Sequence, residues 1–223
     1  MQVFLYDSPA FQTFLKNNPH ERREVKFLES IAKEGMNAID VGGHIGITAV
    51  AIARTVCKRG CVYSFEPVPE YFDILKKNLS ANKLENAEAF QLAVSDRVGT
   101  IDFYQKGSYS SITPQEGAKE FKVNTITIDS FLNHQKVERI DLINMDCQGS
   151  ELLVLKGAKE SLQKNKVRIF CEIHHDLLKH LGQSVQAVIQ YLQKLGYEVH
   201  SVSLDDLSMK NDFDNAEYIY ARN

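Results

Sequence analysis

A glycine-rich turn near residue 40 could bring the backbone close to a bound ligand. Residues 37–53 read NAIDVGGHIGITAVAIA, an apolar segment followed by glycines and then by a helical pattern. Glycine permits close approach of the backbone, and the helix that follows offers free N–H groups. A tight turn between a strand and a helix also needs glycine, so a purely structural turn is the alternative. We expect a cofactor-binding turn that contains Asp40, Gly42, Gly43, His44 and Gly46.

Three acidic residues narrow the choice of ligand. Asp40 lies just before the glycines, Glu66 follows the second strand-like segment, and Asp146 follows the fourth parallel one. A carboxylate repels a pyrophosphate but attracts an amino group or a sulfonium, and an acid after the second strand can accept both ribose hydroxyls. S-adenosylmethionine combines a ribose diol, an ammonium and a sulfonium. The pattern therefore predicts this cofactor, with Ala93 at the third strand exit as a further contact.

The segment CEIHH at residues 171–175 offers side chains for proton transfer. In a strand, Glu172 and His174 point to one side and His175 to the other, and an acid beside an imidazole raises its basicity. Glu172, His174 and Asp146 are our candidate catalytic residues, with a strand cap or a loop anchor as their alternative role. A divalent cation held by these three is a further alternative, but the sequence shows no full ligand set, so we expect no metal.

Strand and helix signals alternate along the chain, which predicts a largely parallel sheet with helices on both faces. A first helix is predicted to begin at Pro19 after the cap Asn18 and to stop at Gly35. The predicted strands read NAIDVG, CVYSFE, AEAFQLAVS, IDLINMDC, VRIFCEIH, YEVHSVS and EYIYAR. The further predicted helices read IGITAVAIARTVC, PEYFDILKKNLSANK, GSELLVLKGAKESLQ and SVQAVIQYLQKLG.

Two departures from the alternation carry information. The segments GTIDFYQ and FKVNTITI form a hairpin-like excursion around the loop KGSYSSITPQEG, which could close over a substrate as a lid. The last two strands are joined by a polar loop without a helix signal, so the last strand is predicted to run antiparallel. Ligands of such sheets bind beyond the carboxyl ends of the strands. We therefore expect the site at five strand exits, namely 40–46, Glu66, 93–96, 146–151 and 172–175.

Composition excludes several classes of partner. The 223 residues carry a formal net charge of -3, so no strong global field draws the chain to nucleic acid or to a membrane surface. The N-terminal segment lacks a basic leader and a long apolar run, so we expect neither a signal peptide nor a membrane span. The four cysteines do not have zinc-site spacing, and Cys147 and Cys171 are predicted to be reduced thiols at strand ends. These features predict a cytoplasmic protein.

Six segments resemble FkbM-type methyltransferases, which are class I S-adenosylmethionine-dependent enzymes. In chain order they read AIDVGGHIG, VYSFEPVPEYFDILKKNL, LAVSDRVGTIDFY, TITIDSFL, IDLINMDCQGSELLVLKGA and EIH. The resemblance implies a Rossmann-like α/β fold with a seven-stranded, mostly parallel sheet whose last strand is antiparallel. It also implies methyl transfer, commonly to the oxygen of a small-molecule acceptor such as a sugar, a lipid or a secondary metabolite.

The resemblance also implies roles for individual residues. Asp40, Gly42 and Gly46 fall on the family's glycine loop, Glu66 on its ribose-binding acid and Asp146 on its fourth-strand acid. Since the match runs over about residues 37–200, we divide the chain into an N-terminal helical segment, 1–36, that packs on the core and a methyltransferase domain, 37–223.

The chain departs from the family pattern at a few positions. Asn144 replaces a typical lysine, Gln148 replaces a typical glutamate, and Gly43 with His44 replaces a typical Ala-Asn pair. Two other functions stay open beside methyl transfer: a nicotinamide-dependent dehydrogenase, which shares the glycine turn, and a catalytically silent relative that binds without turnover.

Overall fold

The computed structural model describes residues 3–107 and 109–223. The helices are α1 (Pro9–Asn17), α2 (Pro19–Ile31), α3 (Ile47–Val56), α4 (Pro69–Ala81), α5 (Ile128–Gln135), α6 (Glu151–Lys156), α7 (Lys159–Lys164), α8 (His175–His180) and α9 (Val185–Lys194). The strands are β1 (Ala38–Val41), β2 (Val62–Phe65), β3 (Ala87–Phe90), β4 (Ala93–Val94), β5 (Gly99–Lys106), β6 (Tyr109–Ser111), β7 (Lys119–Ile126), β8 (Leu142–Met145), β9 (Arg168–Glu172), β10 (Glu198–Val202), β11 (Met209–Lys210) and β12 (Tyr218–Arg222).

The main sheet has eight strands in the order β11-β10-β12-β9-β8-β1-β2-β3. The neighbouring pairs β9-β8, β8-β1, β1-β2 and β2-β3 are parallel. Strand β12 is antiparallel to both of its neighbours, β9 and β10. The predicted antiparallel last strand is therefore confirmed. The strand count differs from the predicted seven because the polar loop after β10 folds back, and its residues Met209 and Lys210 add a short antiparallel edge.

Successive side chains of a strand point to opposite faces of the sheet, so neighbouring residues of β1 pack against different helices. Ile39 and Val41 pack in one core cluster with residues of α5, α6, α7 and α9. Ala38, which precedes them in β1 and points to the other face, packs in a second cluster with residues of α2 and α3. Helices therefore cover both faces, and the side chain of Asp40 points to the α3 face.

A second sheet, in the order β4-β7-β5-β6, contains the predicted hairpin. The predicted strand AEAFQLAVS is wrong as a single element, because β3 belongs to the main sheet while β4 pairs with β7 of the second sheet. Ser108 of the predicted lid loop lies outside the described residues. In the described part of that loop, β6 pairs with β5, and Ser111 Oγ accepts a hydrogen bond from the N–H of Thr113.

Several helices differ from the predicted ones. The segment GSELLVLKGAKESLQ forms α6 and α7 rather than one helix, and at the break Gly157 packs so tightly that an added Cβ would lie 2.1 Å from the Ser95 carbonyl oxygen. Helix α2 ends at Ile31, before the predicted stop at Gly35, because the Ala32 backbone turns to an extended conformation. Helices α1, α5 and α8 were not predicted; they have nine, eight and six residues.

The N-terminal helices pack on the sheet next to its carboxyl edge. Phe27 of α2 contacts Phe170 of β9 and Tyr220 of β12, with ring centroids 4.7 and 5.8 Å apart. The beginning of α2 is thereby held near the end of β9, which brings acidic side chains of α2 to the edge where ligands of such sheets bind. None of the helices within residues 3–107 and 109–223 is long and apolar enough to cross a membrane.

Gly42 is required by close packing as well as by its backbone conformation. Its φ is +85°, and an added Cβ would lie 1.9 Å from the carbonyl oxygen of Asp146. Gly196 has nearly the same φ, +87°, but open space around it, which makes it a matched control. We expect Gly42→Ala to lower the free energy of unfolding by about 1–3 kcal/mol more than Gly196→Ala does, because only the first adds a steric clash to the shared left-handed strain. Denaturant unfolding of the two variants measures this difference, and equal losses would contradict it.

Candidate cofactor and acceptor site

A cavity of about 520 Å³ opens at the carboxyl ends of the parallel strands. Residues from all five predicted strand exits line it, and the second sheet closes one side. The lining from the strand exits includes Gly42, His44, Glu66, Ala93, Ser95, Asp146, Gln148, Ser150, Glu172 and His174. The lining from the second sheet includes Val94, Ile101, Phe103 and Ser110, and Ile112 directly after β6 adds to it. The cavity therefore has a polar rim on the main sheet and an apolar wall on the second sheet.

Glu66 lies at the exit of β2 with its carboxylate held by backbone donors. The N–H groups of His44 and Val68 each donate to one carboxylate oxygen at 2.8 Å. Burial raises the pKa of Glu66 to about 7, the two backbone hydrogen bonds oppose this rise, and the nearby charges of Asp146 and Asp40 add to it. The carboxylate is fixed in position and still has lone pairs for ligand hydroxyls.

Asp40 does not reach the cavity. Its side chain is fully buried and accepts hydrogen bonds from Ser64 Oγ at 2.7 Å, Asn144 Nδ2 at 2.8 Å and Thr48 Oγ1 at 3.0 Å. Ser64 and Asn144 face Asp40 on the two neighbouring strands. Burial raises the pKa of Asp40, and the three neutral donors lower it in part. Asp40 therefore stabilises the end of β1 that leads into the glycine turn. Any effect of Asp40 on ligand binding is indirect.

The three predicted glycines have different surroundings. Gly42 lines the cavity, whereas Gly43 packs over Ser64 and Gly46 packs against Leu75, where an added Cβ would lie 2.1 and 2.7 Å from the nearest atoms. The turn is thus built so that only one of its glycines faces this cavity.

His44 follows the two glycines and belongs to the lining of the cavity. The ring meets Tyr71 edge-on, with centroids 4.4 Å apart, and its Nε2 is buried without a hydrogen-bond partner among the described residues. Burial lowers the pKa of His44, so the imidazole stays neutral at neutral pH. A neutral ring with an unsatisfied nitrogen can accept or donate one hydrogen bond to a ligand.

The opposite end of the cavity contains a hydrogen-bonded histidine. His174 Nδ1 lies 2.8 Å from Glu151 Oε1, and His174 Nε2 lies 3.5 Å from Asp146 Oδ1 and 3.7 Å from Glu172 Oε1. Because Glu151 is fully buried and accepts at Nδ1, it orients the ring with Nε2 toward the cavity. Gln148 Nε2 lies 2.8 Å from both Asp146 Oδ1 and His174 Nε2.

The charges around this histidine shift several pKa values. Burial alone lowers the pKa of His174, but the hydrogen bond to Glu151 and the charges of Asp146, Glu151 and Glu172 outweigh burial and raise it. Burial raises the pKa of Glu172 to about 7, with Asp146 adding to the rise and His174 opposing it. His175 belongs to another environment, since its Nε2 lies 2.9 Å from the carbonyl oxygen of Ala216. The structure thus brings Glu172, His174 and Asp146 together and separates His175 from them.

The grouping that a metal site would require is also present. Ligand atoms of Asp146, Glu172 and His174 lie within 4.8 Å of one another, and so do those of His20, Glu24 and Glu172. The expectation of no metal stays a prediction.

The sequence interpretation missed the contribution of α2 and β12 to this edge. Tyr218 of β12 donates to Glu24 Oε1 at 2.9 Å, and its hydroxyl lies 2.8 Å from His20 Nε2. His20 and Glu21 line the cavity, and Glu24 lines an adjoining pocket of about 280 Å³. No local pattern links α2 to the sheet edge, because the link is made by packing. Glu151 could have been identified from the sequence, because it ends the predicted strand exit 146–151 that begins with Asp146.

Comparison with known proteins identifies the family. The profile of the Methyltransferase FkbM domain matches residues 40–199, which is more than half of the chain. The chain is similar to 2-O-methyltransferase NoeI of Sinorhizobium fredii, with 31% identity over 124 residues, 47% of this chain and 50% of that protein. It is similar to Hexuronic acid methyltransferase AglP of Haloferax volcanii, with 28% identity over 155 residues, 69% of this chain and 62% of that protein. The matches thus cover 50% and 62% of the length of these two curated relatives.

Solved structures share the fold. Methyltransferase FkbM from Methylobacillus flagellatus has a TM-score of 0.59 at 14% identity, over 88% of this chain and 50% of that one. The O-methyltransferase from Bacillus cereus, solved in complex with SAH, has a TM-score of 0.53 at 15% identity, over 89% of this chain and 80% of that one. The fold is therefore that of class I methyltransferases, and by its match over residues 40–199 the chain belongs to the FkbM methyltransferase family.

Proposed function

We propose that this chain is an S-adenosylmethionine-dependent methyltransferase that methylates a hydroxyl group of a small molecule. One observation carries the proposal: a single cavity has a backbone-anchored carboxylate, Glu66, and an oriented imidazole, His174, in its lining. Family membership and the relatives named as methyltransferases support the same activity.

The residues near the glycine turn fit the cofactor. Glu66 offers carboxylate oxygens to a ribose diol, and Gly42 lets the backbone approach the ligand. Asp146 provides a half-buried negative charge next to the turn, which suits an ammonium or a sulfonium. Ala93 and the apolar second sheet offer a surface for a planar ring. S-adenosylmethionine supplies the electrophilic methyl group.

The residues at the other end of the cavity fit a hydroxyl acceptor. The hydrogen bond from His174 Nδ1 to Glu151 leaves Nε2 as the proton acceptor, so this nitrogen can take the hydroxyl proton as the oxygen becomes a nucleophile. Glu172 and Asp146 lie beside Nε2 and stabilise the imidazolium that results. Gln148 contacts both Asp146 and His174 and holds them in place in the absence of an acceptor.

A nicotinamide-dependent dehydrogenase is less consistent with the lining. Among the described residues no lysine or arginine lines the cavity, whereas Glu21, Glu66, Asp146 and Glu172 do. A dinucleotide would place a pyrophosphate among these acids without a cation to offset it. A silent relative gains no support from Asn144 in β8 or Gln148 after it, because both side chains are accommodated by hydrogen bonds of 2.8 Å, Asn144 to the buried Asp40 and Gln148 to Asp146 in the cavity lining.

Two measurements test the proposal together. Calorimetric titration is expected to show binding of S-adenosylmethionine and no binding of nicotinamide dinucleotides. Transfer of a labelled methyl group to members of a panel of hydroxyl compounds is then expected, with a methyl ether as the product. Binding of the dinucleotide instead would contradict the proposal, and cofactor binding without transfer to any acceptor would favour the silent relative.

A further inference from the structure

Three side chains at the acceptor end of the cavity have the spacing of metal ligands. Atoms bound to one ion at about 2.1 Å lie about 3–4 Å apart. His174 Nε2 lies 3.5 Å from Asp146 Oδ1 and 3.7 Å from Glu172 Oε1. Glu151 accepts at the other ring nitrogen of His174, as an outer carboxylate does behind a histidine that binds a metal. A divalent cation and an acceptor hydroxyl would therefore compete for the same nitrogen of His174.

Gln148 contacts two of these ligand atoms with a group that cannot bind a metal. Its Nε2 lies 2.8 Å from Asp146 Oδ1 and 2.8 Å from His174 Nε2. An ionised carboxylate only accepts hydrogen bonds, so the amide group that faces Asp146 is the NH₂, which has two protons and no free lone pair. Because Nδ1 of His174 donates to Glu151, Nε2 has a lone pair that accepts the second N–H. The amide thus occupies the one ring lone pair that an ion would need.

The backbone of Gln148 adopts a conformation that glutamine rarely takes. Its φ is +49°, in the left-handed region, where side chains without a local hydrogen bond of the asparagine or aspartate kind are uncommon. This turn carries the side chain into the cavity lining, next to Asp146 and His174. Backbone strain concentrates at functional sites, where the surrounding structure maintains it. The strained turn therefore supports a functional role for the amide.

We propose, resting on the proposed methyl transfer, that Gln148 is a positioning residue that keeps divalent cations away from His174, so that the imidazole acts as a metal-free base. An acceptor hydroxyl needs only the lone pair of Nε2, so it can replace one N–H while the other stays on Asp146. A cation also needs oxygens of Asp146 and Glu172, so it has to displace both N–H groups. The amide therefore admits the hydroxyl at a lower cost than the cation.

Binding of Mn²⁺ to the full chain tests this inference without any acceptor. Electron paramagnetic resonance measures the free Mn²⁺ during a titration, with and without S-adenosylhomocysteine (SAH). Gln148→Gly removes the amide and suits the left-handed backbone, so we expect roughly tenfold tighter Mn²⁺ binding than in the unchanged chain, the effect of one or two lost hydrogen bonds. Gln148→Glu adds a charged fourth ligand of the same length, and we expect roughly 100-fold tighter binding, because affinity rises with the number of charged ligands.

Two controls locate the bound ion. Gln163→Glu adds the same charge at an exposed position of α7 and is expected to leave the Mn²⁺ affinity unchanged. In the Gln148→Glu chain, a second substitution, His174→Ala, is expected to remove the gain in affinity, because the nitrogen ligand is lost. Unchanged affinity in both Gln148 variants, or a gain that survives His174→Ala, would overturn the inference.

Activity and cofactor binding separate this inference from the proposed function. The unchanged chain is expected to transfer methyl groups in the presence of EDTA, and a requirement for a divalent cation would overturn the inference. SAH binding is measured on the same samples by calorimetry. Its absence would contradict the proposed function, whereas intact SAH binding without a gain in Mn²⁺ affinity would contradict only the role of Gln148.

Discussion

Replacing Glu66 with alanine is expected to weaken binding of S-adenosylmethionine by about 1.5–3 kcal/mol, or roughly 10- to 100-fold. The carboxylate is buried and held by the N–H groups of His44 and Val68, so it presents its remaining lone pairs to a ribose without reorganising. The loss includes the two backbone donors, which the alanine variant leaves without this partner. Calorimetric titration measures the affinity. Glu70→Ala, an exposed acid in the first turn of α4, serves as the control and is expected to bind normally.

Glutamine at position 66 is expected to recover only part of this affinity. Two backbone donors face the two carboxylate oxygens, so a side-chain NH₂ group must oppose one of the N–H groups. A full-affinity glutamine variant would contradict the proposed role of the charge, and a full-affinity alanine variant would contradict the placement of the ribose.

The raised pKa of Glu66 gives opposite pH trends for binding and folding. Since the pKa in the folded chain is about 7, against an ordinary 4.5, the fold favours the protonated acid. The contribution of Glu66 to the free energy of unfolding is therefore fully present below pH 4.5 and is lost as the pH rises through 7. The charged form accepts more hydrogen bonds from the ribose, so cofactor affinity is expected to increase over the same range.

Replacing His174 with alanine is expected to lower turnover by about 10²- to 10⁴-fold, the usual contribution of a general base. Cofactor affinity should change little, because the ring lies at the acceptor end of the cavity and Glu66 at the other. His175→Ala is a matched control: it removes the same side chain one residue later, where the ring contacts the Ala216 carbonyl oxygen. Labelled methyl transfer under saturating cofactor separates the two variants. A loss of cofactor binding in His174→Ala would assign this residue a different role.

The pH profile gives a second, independent readout for His174. The base must be neutral to accept a proton, and its pKa is raised above 6.5 against the effect of burial. Activity is therefore expected to fall as the pH is lowered through a value above 6.5. Glu151→Gln removes a negative charge that raises the pKa of His174. The low-pH side of the activity profile, its acid limb, should therefore move to lower pH. An unmoved limb would show that Glu151 does not act through His174.

Local patterns in the sequence were sufficient for the order of elements and for the edge that carries the site. The alternation of apolar segments and amphipathic helices predicted the parallel sheet, and the missing helix signal before Tyr218 predicted the antiparallel strand. The five strand exits meet in one cavity because parallel strands end at the same edge. Helix α8 was missed because its six residues span too few turns for a helical period to be distinguished from a loop.

The sequence by itself determined the fold class and the residues at the strand exits, since these depend on period-two and helical patterns that each segment carries alone. The family followed from the resemblance of six motif segments, and the profile match over residues 40–199 confirmed it. Only the tertiary structure decided which of those residues face the cavity. Asp40 is covered by Ser64, Thr48 and Asn144, while Glu24 and Tyr218, distant in sequence, meet beside Glu172. The physical reason is that burial and side-chain contacts depend on how α2 packs on the sheet, and no local pattern encodes that packing.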